Sequence, residues 1–135
     1  MSHNGIDGTV ALVTGAAQGI GRAVAHALAE AGARVAALDL AKEPLDATVA
    51  EIAAGGGSAR AYPCDVRDAV AVEDAFDAAE RALGPVEHAV SVAGVLRTGP
   101  GAATSDADWA DLIAVNATGA FHVARAAARR MAGRG

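Results

Sequence analysis

The sequence predicts an α/β chain built on a doubly wound parallel sheet, and three observations carry that prediction. Strand-like apolar runs alternate four times with helix-like segments over 135 residues. The runs are apolar on both faces, as strands covered on both sides by crossover helices must be. At the first strand-to-helix junction, Thr14-Gly15-Ala16-Ala17-Gln18-Gly19-Ile20-Gly21, three glycines fall within seven residues. Because such crossovers are right-handed, the chain is expected to wind outward through strands two and three. Strand four then returns beside strand one, in the spatial order 3-2-1-4. The crevice between strands one and four is the topological switch point, where sheets of this kind bind ligands.

The elements follow in order. Residues 1–8 are polar and glycine-bearing, a lead-in. Strand one covers 9–14 and the first helix 19–31, stopped by Gly32 just past its end. Strand two is 34–39. The next helix has Pro44 in its first turn and Leu45, Val49, Ile52 and Ala53 at helical spacing, and Gly55-Gly56-Gly57 ends it. Strand three ends at Cys64. A helix over 69–83 repeats Val72, Phe76, Ala79 and Leu83 on one face before Gly84-Pro85 breaks it. Strand four is 86–92, a long loop follows, and Ser105 or Asp106 caps a last helix over 108–132 that carries Trp109, Leu112, Ile113 and Phe121. The expected organisation is one domain over 1–135.

Composition excludes several classes of function. Apolar residues make up 53% but aromatics only 3%, so the core must be built from Ala, Val, Leu and Ile. A net charge of −5 argues against nucleic acid or an anionic membrane as the main partner. No run approaches the roughly 18 apolar residues of a membrane span, and the first five residues lack the features of a signal peptide. A cytoplasmic protein is the expectation. The single cysteine, Cys64, reads as a small buried hydrophobe. His3, His26, His88 and His122 have no ligand spacing, and no metal site is expected.

The glycine-rich junction carries the chemistry. Gly15 permits a sharp turn where a Cβ would clash. Gly19 and Gly21 let backbone approach a ligand and let the helix pack tightly on the sheet. The helix start offers unpaired N–H groups and the positive end of its dipole to a pyrophosphate. Gln18 and Ile20 lie inside this loop. Asp39 ends strand two, where a carboxylate can accept hydrogen bonds from both hydroxyls of an adenosine ribose and repel a 2′-phosphate. Ala17, Gln18 and Leu40 supply no positive charge for such a phosphate, so NAD is expected over NADP. A carboxylate capping the following turn is the competing reading of Asp39. Arg97 is the one cation in the loop above the crevice. It could pair bidentately with a substrate carboxylate, or stand solvated.

Together, Thr14-Gly15-Ala16-Ala17-Gln18-Gly19-Ile20-Gly21, Asp39, Asp65-Val66, Ala93-Gly94 and Asn116-Ala117-Thr118-Gly119-Ala120-Phe121 resemble the short-chain dehydrogenase/reductase family, whose fold is of the Rossmann type. The resemblance runs from Val10 to Arg130. It implies hydride transfer between NAD and a small alcohol or ketone. Asp65 would meet the adenine amino group, with the Val66 backbone beside it, and Ala93-Gly94 would let the cofactor lie close. Ser91 stands where the family usually has an Asn that holds strand four against the cofactor. Asn116 would bend its helix and hold a water of a proton relay through its carbonyl, and a homo-oligomer is implied for a full-length form. The loop Ala93-Gly94-Val95-Leu96-Arg97 and the Trp109 to Asn116 segment are most similar to dihydro-dihydroxybenzoate dehydrogenases of catechol siderophore synthesis. 3-Oxoacyl-acyl-carrier-protein reductases have similar loops.

The family's acid–base chemistry uses a Ser and a Tyr-x-x-x-Lys unit. Here the sole tyrosine, Tyr62, is followed four residues on by Val66, and the sole lysine is Lys42. The 135 residues therefore correspond to the adenosine-binding half, ending before a fifth strand. They are expected not to turn over alone, either as a piece of a dehydrogenase or as a non-catalytic NAD-binding module. Strand four should then present an unpaired edge and the last helix an uncovered apolar face.

Overall fold

The computed structural model describes residues 5–134; His3 and the rest of 1–4 lie outside it, as does Gly135. Four parallel strands, β1 (Val10–Thr14), β2 (Arg34–Asp39), β3 (Ser58–Pro63) and β4 (Val86–Val90), form one sheet in the order β3-β2-β1-β4. The expected winding is therefore the one found. β1 lies between β2 and β4, in the registers Leu12 to Ala36 and Leu12 to Ala89. All five of its residues are buried, which is why it reads as a continuous apolar run. Among the described residues β4 pairs with β1 alone and forms an edge.

Two apolar cores sandwich the sheet. On one side, α1 (Gly19–Glu30) and α2 (Lys42–Ala54) close over Ala11, Val13, Val35 and Ala37 through Ala25, Ala29, Leu45 and Ile52. On the other, α3 (Ala69–Leu83) and α5 (Ala120–Met131) close over Leu12, Leu38 and Val86 through Val72, Phe76, Val123 and Ala126. The helix face read for α3 is buried as expected. On α2 the buried stripe is Leu45, Thr48 and Ile52, while Ala53 points outward. Thr48 tolerates burial because its hydroxyl donates to the Ala16 and Pro44 carbonyls. Cys64 is buried just beyond β3, and its N–H donates to the Asp39 carbonyl.

The last helix departs from the uninterrupted one expected over 108–132. α4 (Asp106–Ile113) runs through a π-helical turn, Ala114–Gly119, into α5. Ser105, of the two residues proposed, is the cap: its hydroxyl accepts from Asp108 N at 3.0 Å. The π turn is closely packed at its end. A Cβ on Gly119 would lie 2.6 Å from Val66 Cγ2, so glycine brings the helix directly against the chain leaving β3. His122 Nδ1 lies 2.7 Å from the Val66 carbonyl oxygen one turn on. Insertions of this kind often sit at functional positions. Trp109, Ile113 and Phe121 remain exposed, so the outer face of this helical arm is apolar and uncovered among the described residues.

Candidate functional site

A cleft of about 660 Å³ opens at the carboxyl ends of the strands, within the range of small-molecule and cofactor sites. Its floor is the glycine-rich turn. Gly15 adopts φ +68°, and a Cβ there would lie 2.8 Å from Ala93 N, so this glycine is what lets β1 and the post-β4 chain meet. Gly21 permits the start of α1 to rest on the turn, since a Cβ would drive into the Gly15 carbonyl. Gly19, at φ +56°, differs from both. It lines the cleft, and nothing lies within 4 Å of where its Cβ would project.

The start of α1 has no side-chain cap. Gln18 occupies the cap position in extended conformation and makes no capping bond, so first-turn N–H groups face the cleft unclaimed by a side chain. Uncapped N–H groups, a positive helix end and the open space beside Gly19 are what a pyrophosphate requires. Ile20 and Leu40, 74% and 66% exposed, flank the mouth with apolar surface. The residues present therefore fit a dinucleotide.

Asp39 does two things at once. Its Oδ2 accepts from Ala17 N and its Oδ1 from Ala41 N, both at 3.0 Å, which fastens the glycine turn to the end of β2. The turn-capping reading is thus realised. Asp39 also lines the cleft, and a carboxylate offers more acceptor sites than these two bonds use.

Asp65 is already engaged. Arg67 Nη2 lies 2.7 Å from its Oδ2, Nε bonds both oxygens, and Arg67 N donates to Oδ1 at 3.0 Å. The Arg67 guanidinium holds the Asp65 carboxyl below its ordinary value. Val66, Ala93 and Gly94 line the cleft. Ser91 does not. The chain leaves β4 at Val90, and the buried Thr14 hydroxyl accepts from Val92 N and Ala93 N at 3.0 and 3.1 Å. That leaves Ser91 exposed and outside the lining. Thr14 thereby fastens the end of β1 to the chain leaving β4.

Asn116 also lies outside the cleft lining, within the π turn. Its side chain faces the backbone of Val95, accepting from Val95 N at 2.7 Å and donating to Val95 O at 2.8 Å. Arg97 lines the cleft with its side chain exposed, and it is paired: Nη2 is 2.7 Å from Asp111 Oδ2, and Nε 3.6 Å from Asp108 Oδ1. Asp111 also receives Arg67 Nη1 at 3.2 Å. Arg67, Asp111 and Thr14 were missed in the sequence. A hydroxyl at a strand end carries no distinctive pattern, and charge pairs 14 and 44 residues apart show no periodicity. Among the described residues, no group of three His, Cys, Asp or Glu could hold a metal ion.

Comparison with known proteins gives this geometry a context. The family model for short chain dehydrogenase matches residues 9–135. The 2,3-dihydro-2,3-dihydroxybenzoate dehydrogenase of Bacillus subtilis (strain 168) is 44% identical over 131 residues, 97% of this chain and 50% of that protein. The D-threitol dehydrogenase of Mycolicibacterium smegmatis is 44% identical over 126 residues, 93% of this chain and 48% of that protein. Among solved structures, a short-chain type dehydrogenase/reductase from Mycobacterium marinum superposes with a TM-score of 0.92 at 36% identity, over 96% of this chain and 52% of that one. A dehydrogenase/reductase from Sinorhizobium meliloti 1021 gives 0.88 at 40% identity, over 92% and 50%. The chain spans about half the length of the curated relatives it matches. With the family model matching residues 9–135 and solved relatives superposing over nearly all of the chain, the chain belongs to the short chain dehydrogenase family.

Proposed function

We propose that this chain is the adenosine-binding part of an NAD-dependent dehydrogenase that oxidises a secondary alcohol by hydride transfer. The observation that carries the reading is Asp39 at the rim of the cleft, with no cation beside it on Leu40, Ala17 or Gln18. An anion at the ribose position favours two free hydroxyls over a 2′-phosphate. The N–H groups of Gly19, Ile20 and Gly21 would receive the pyrophosphate. Val66, Ala93 and Gly94 would form the surface the cofactor lies on, and Asp65 would meet the adenine amino group by sharing its oxygens with Arg67. When bound, NAD supplies the hydride acceptor. This chain's own residues bind and orient it.

Asn116 would act through the loop its side chain holds, and a relay water on its carbonyl is what the family resemblance implies. The 135 residues contain no Tyr-x-x-x-Lys unit, so the acid–base step belongs to residues beyond this set, and no turnover is expected from the chain by itself. Oxidation of a cyclic dihydrodiol carboxylate, as named for the Bacillus subtilis relative, is the substrate reading favoured by 44% identity and by Arg97 at the cleft. An uncharged polyol is the second reading, favoured by the Arg97–Asp111 pair, which leaves no unpaired guanidinium at that point. A small soluble substrate, a cytoplasmic setting and a homo-oligomeric full-length protein complete the proposal.

Calorimetric titration of the chain with NAD and with NADP tests it. NAD should bind more tightly. Asp39→Asn should weaken NAD about tenfold, as loss of charge-assisted hydrogen bonds implies, and narrow the gap to NADP. Equal affinities in the unmodified chain, or a preference for NADP, would overturn the reading.

A further inference from the structure

One peptide group in the glycine turn is gripped at both of its polar ends. The Ala16–Ala17 peptide donates its N–H, on Ala17, to Asp39 Oδ2 at 3.0 Å, and its carbonyl, on Ala16, accepts from the Thr48 hydroxyl at 3.0 Å. Ala16 N also donates to the Leu38 carbonyl at 3.0 Å. Thr48 reaches the turn from α2, 32 residues along the chain. Its other contact, the Pro44 carbonyl at 3.2 Å, is longer and lies within its own helix, where a backbone N–H four residues on is the regular partner. Ala16 is 0% and Thr48 1% exposed, so the hydroxyl stands where water cannot readily replace it. A buried threonine that spends its proton on another segment's carbonyl is thus tied to the shape of that segment.

We propose that Thr48 is a positioning residue for the dinucleotide: by holding the Ala16 carbonyl it fixes the Ala16–Ala17 peptide plane, and with it the Ala17 N–H on Asp39 and the course of the turn into α1. The inference rests on the dinucleotide reading of the cleft and adds a residue outside the lining that acts on it. Gln18 makes no capping bond, so the orientation of the first N–H groups of α1 depends on what holds the turn just before them. Removing the hydroxyl leaves a buried carbonyl without its partner, and the peptide can relieve that cost only by rotating. Rotation moves both ends of the plane, so it also draws the Ala17 N–H off Asp39.

Calorimetric titration of NAD into three variants of the chain, with hydrogen exchange at the Ala17 amide read before any cofactor is added, tests this. Thr48→Val keeps the branched side chain without the hydroxyl and should bind NAD about fivefold more weakly, the effect of one lost hydrogen bond. Its Ala17 amide should exchange faster than in the unmodified chain. Thr48→Ser restores the hydroxyl and should recover both the affinity and the protection. Ile52→Val thins the packing of the same helix away from the turn, and should lower stability while NAD affinity holds. Unchanged NAD affinity in Thr48→Val, a Ser variant as weak as the Val variant, or an equal loss in Ile52→Val would overturn the proposal. So would unchanged Ala17 exchange in Thr48→Val. Failure of NAD to bind the unmodified chain would overturn the dinucleotide reading itself, and the positioning role with it.

Discussion

Asn116 and Val95 are joined as if by a pair of backbone strands: the side-chain amide of one accepts from the N–H of the other at 2.7 Å and donates to its carbonyl at 2.8 Å. The pairing crosses from the π turn to the loop after β4. It gives an Asn in the middle of a helical arm a task that needs a side-chain amide, because an amide presents donor and acceptor side by side. A Cβ on Gly94 would come within 3.2 Å of Asn116 Oδ1, so the small residue next door is part of the same fit.

Replacing Asn116 by Ala removes both bonds and leaves Val95 to water. The expected cost is about 1–2 kcal/mol in urea denaturation, with faster hydrogen exchange at the Val95 amide. Asn116→Asp should cost more, since it sets a carboxylate against the Val95 carbonyl. Wild-type exchange at Val95 in the Ala variant would show that the loop is held by something else.

The glycines of the turn should separate into two kinds. Gly21→Ala drives a methyl into the Gly15 carbonyl and should destabilise the chain by about 3 kcal/mol. Gly19→Ala has open space around its methyl but a left-handed backbone, and should cost about 1–2 kcal/mol. Its larger effect should fall on NAD affinity, because the methyl projects into the cleft. Parallel losses of stability and affinity in both variants would contradict this division.

Much of this architecture is legible in the sequence for a physical reason. Strands buried on both faces cannot alternate, so β1 and β2 stand out as apolar runs, and right-handed crossovers then leave few ways to order them. The glycine turn is legible because Gly15, Gly19 and Gly21 each answer a local steric demand. The ties across the cleft are not. Thr14 fastens Val92 and Ala93 from 78 and 79 residues away, and nothing in a lone threonine announces it. Ser91 is exposed and outside the cleft lining, while its neighbours Val92, Ala93 and Gly94 line it. The resemblance placed an irregularity at Asn116, which lies in the π turn, but the close approach of Gly119 to Val66 was not legible because it joins segments far apart in the chain.

Acid should unfold the chain in part through Glu80. Burial pushes this carboxyl upward, but Arg134, the Val86 N–H and Arg130 outweigh burial and hold it below its ordinary value. A folded-state value below the unfolded one stabilises the fold above the ordinary carboxylate range, and that stability is lost as pH falls through the folded value. Unfolding free energies measured from pH 7 to pH 3 should therefore be flat at first and then drop below about pH 4.5. Glu80→Gln should start lower at pH 7 and show a shallower drop. An identical drop in the variant would remove Glu80 from the account.

Cys64 should be inert in the folded chain. Burial, with Asp65 and Asp68 nearby, pushes its thiol up to about 11. At pH 8 it should react slowly with a disulfide reagent such as DTNB and rapidly once urea unfolds the chain. Fast reaction under native conditions would contradict its placement beneath Asp39 and Asp65.

The most direct test of the central claim is to titrate NAD into the isotopically labelled chain and follow its backbone amides by NMR. The account predicts that the largest shifts fall on the turn from Gly15 to Gly21 and at Asp39 to Ala41, with smaller ones at Asp65, Val66, Ala93 and Gly94. NADP should give weaker shifts at Asp39 to Ala41. Shifts confined to the exposed Trp109, Ile113 and Phe121 face, or none at millimolar NAD, would contradict it.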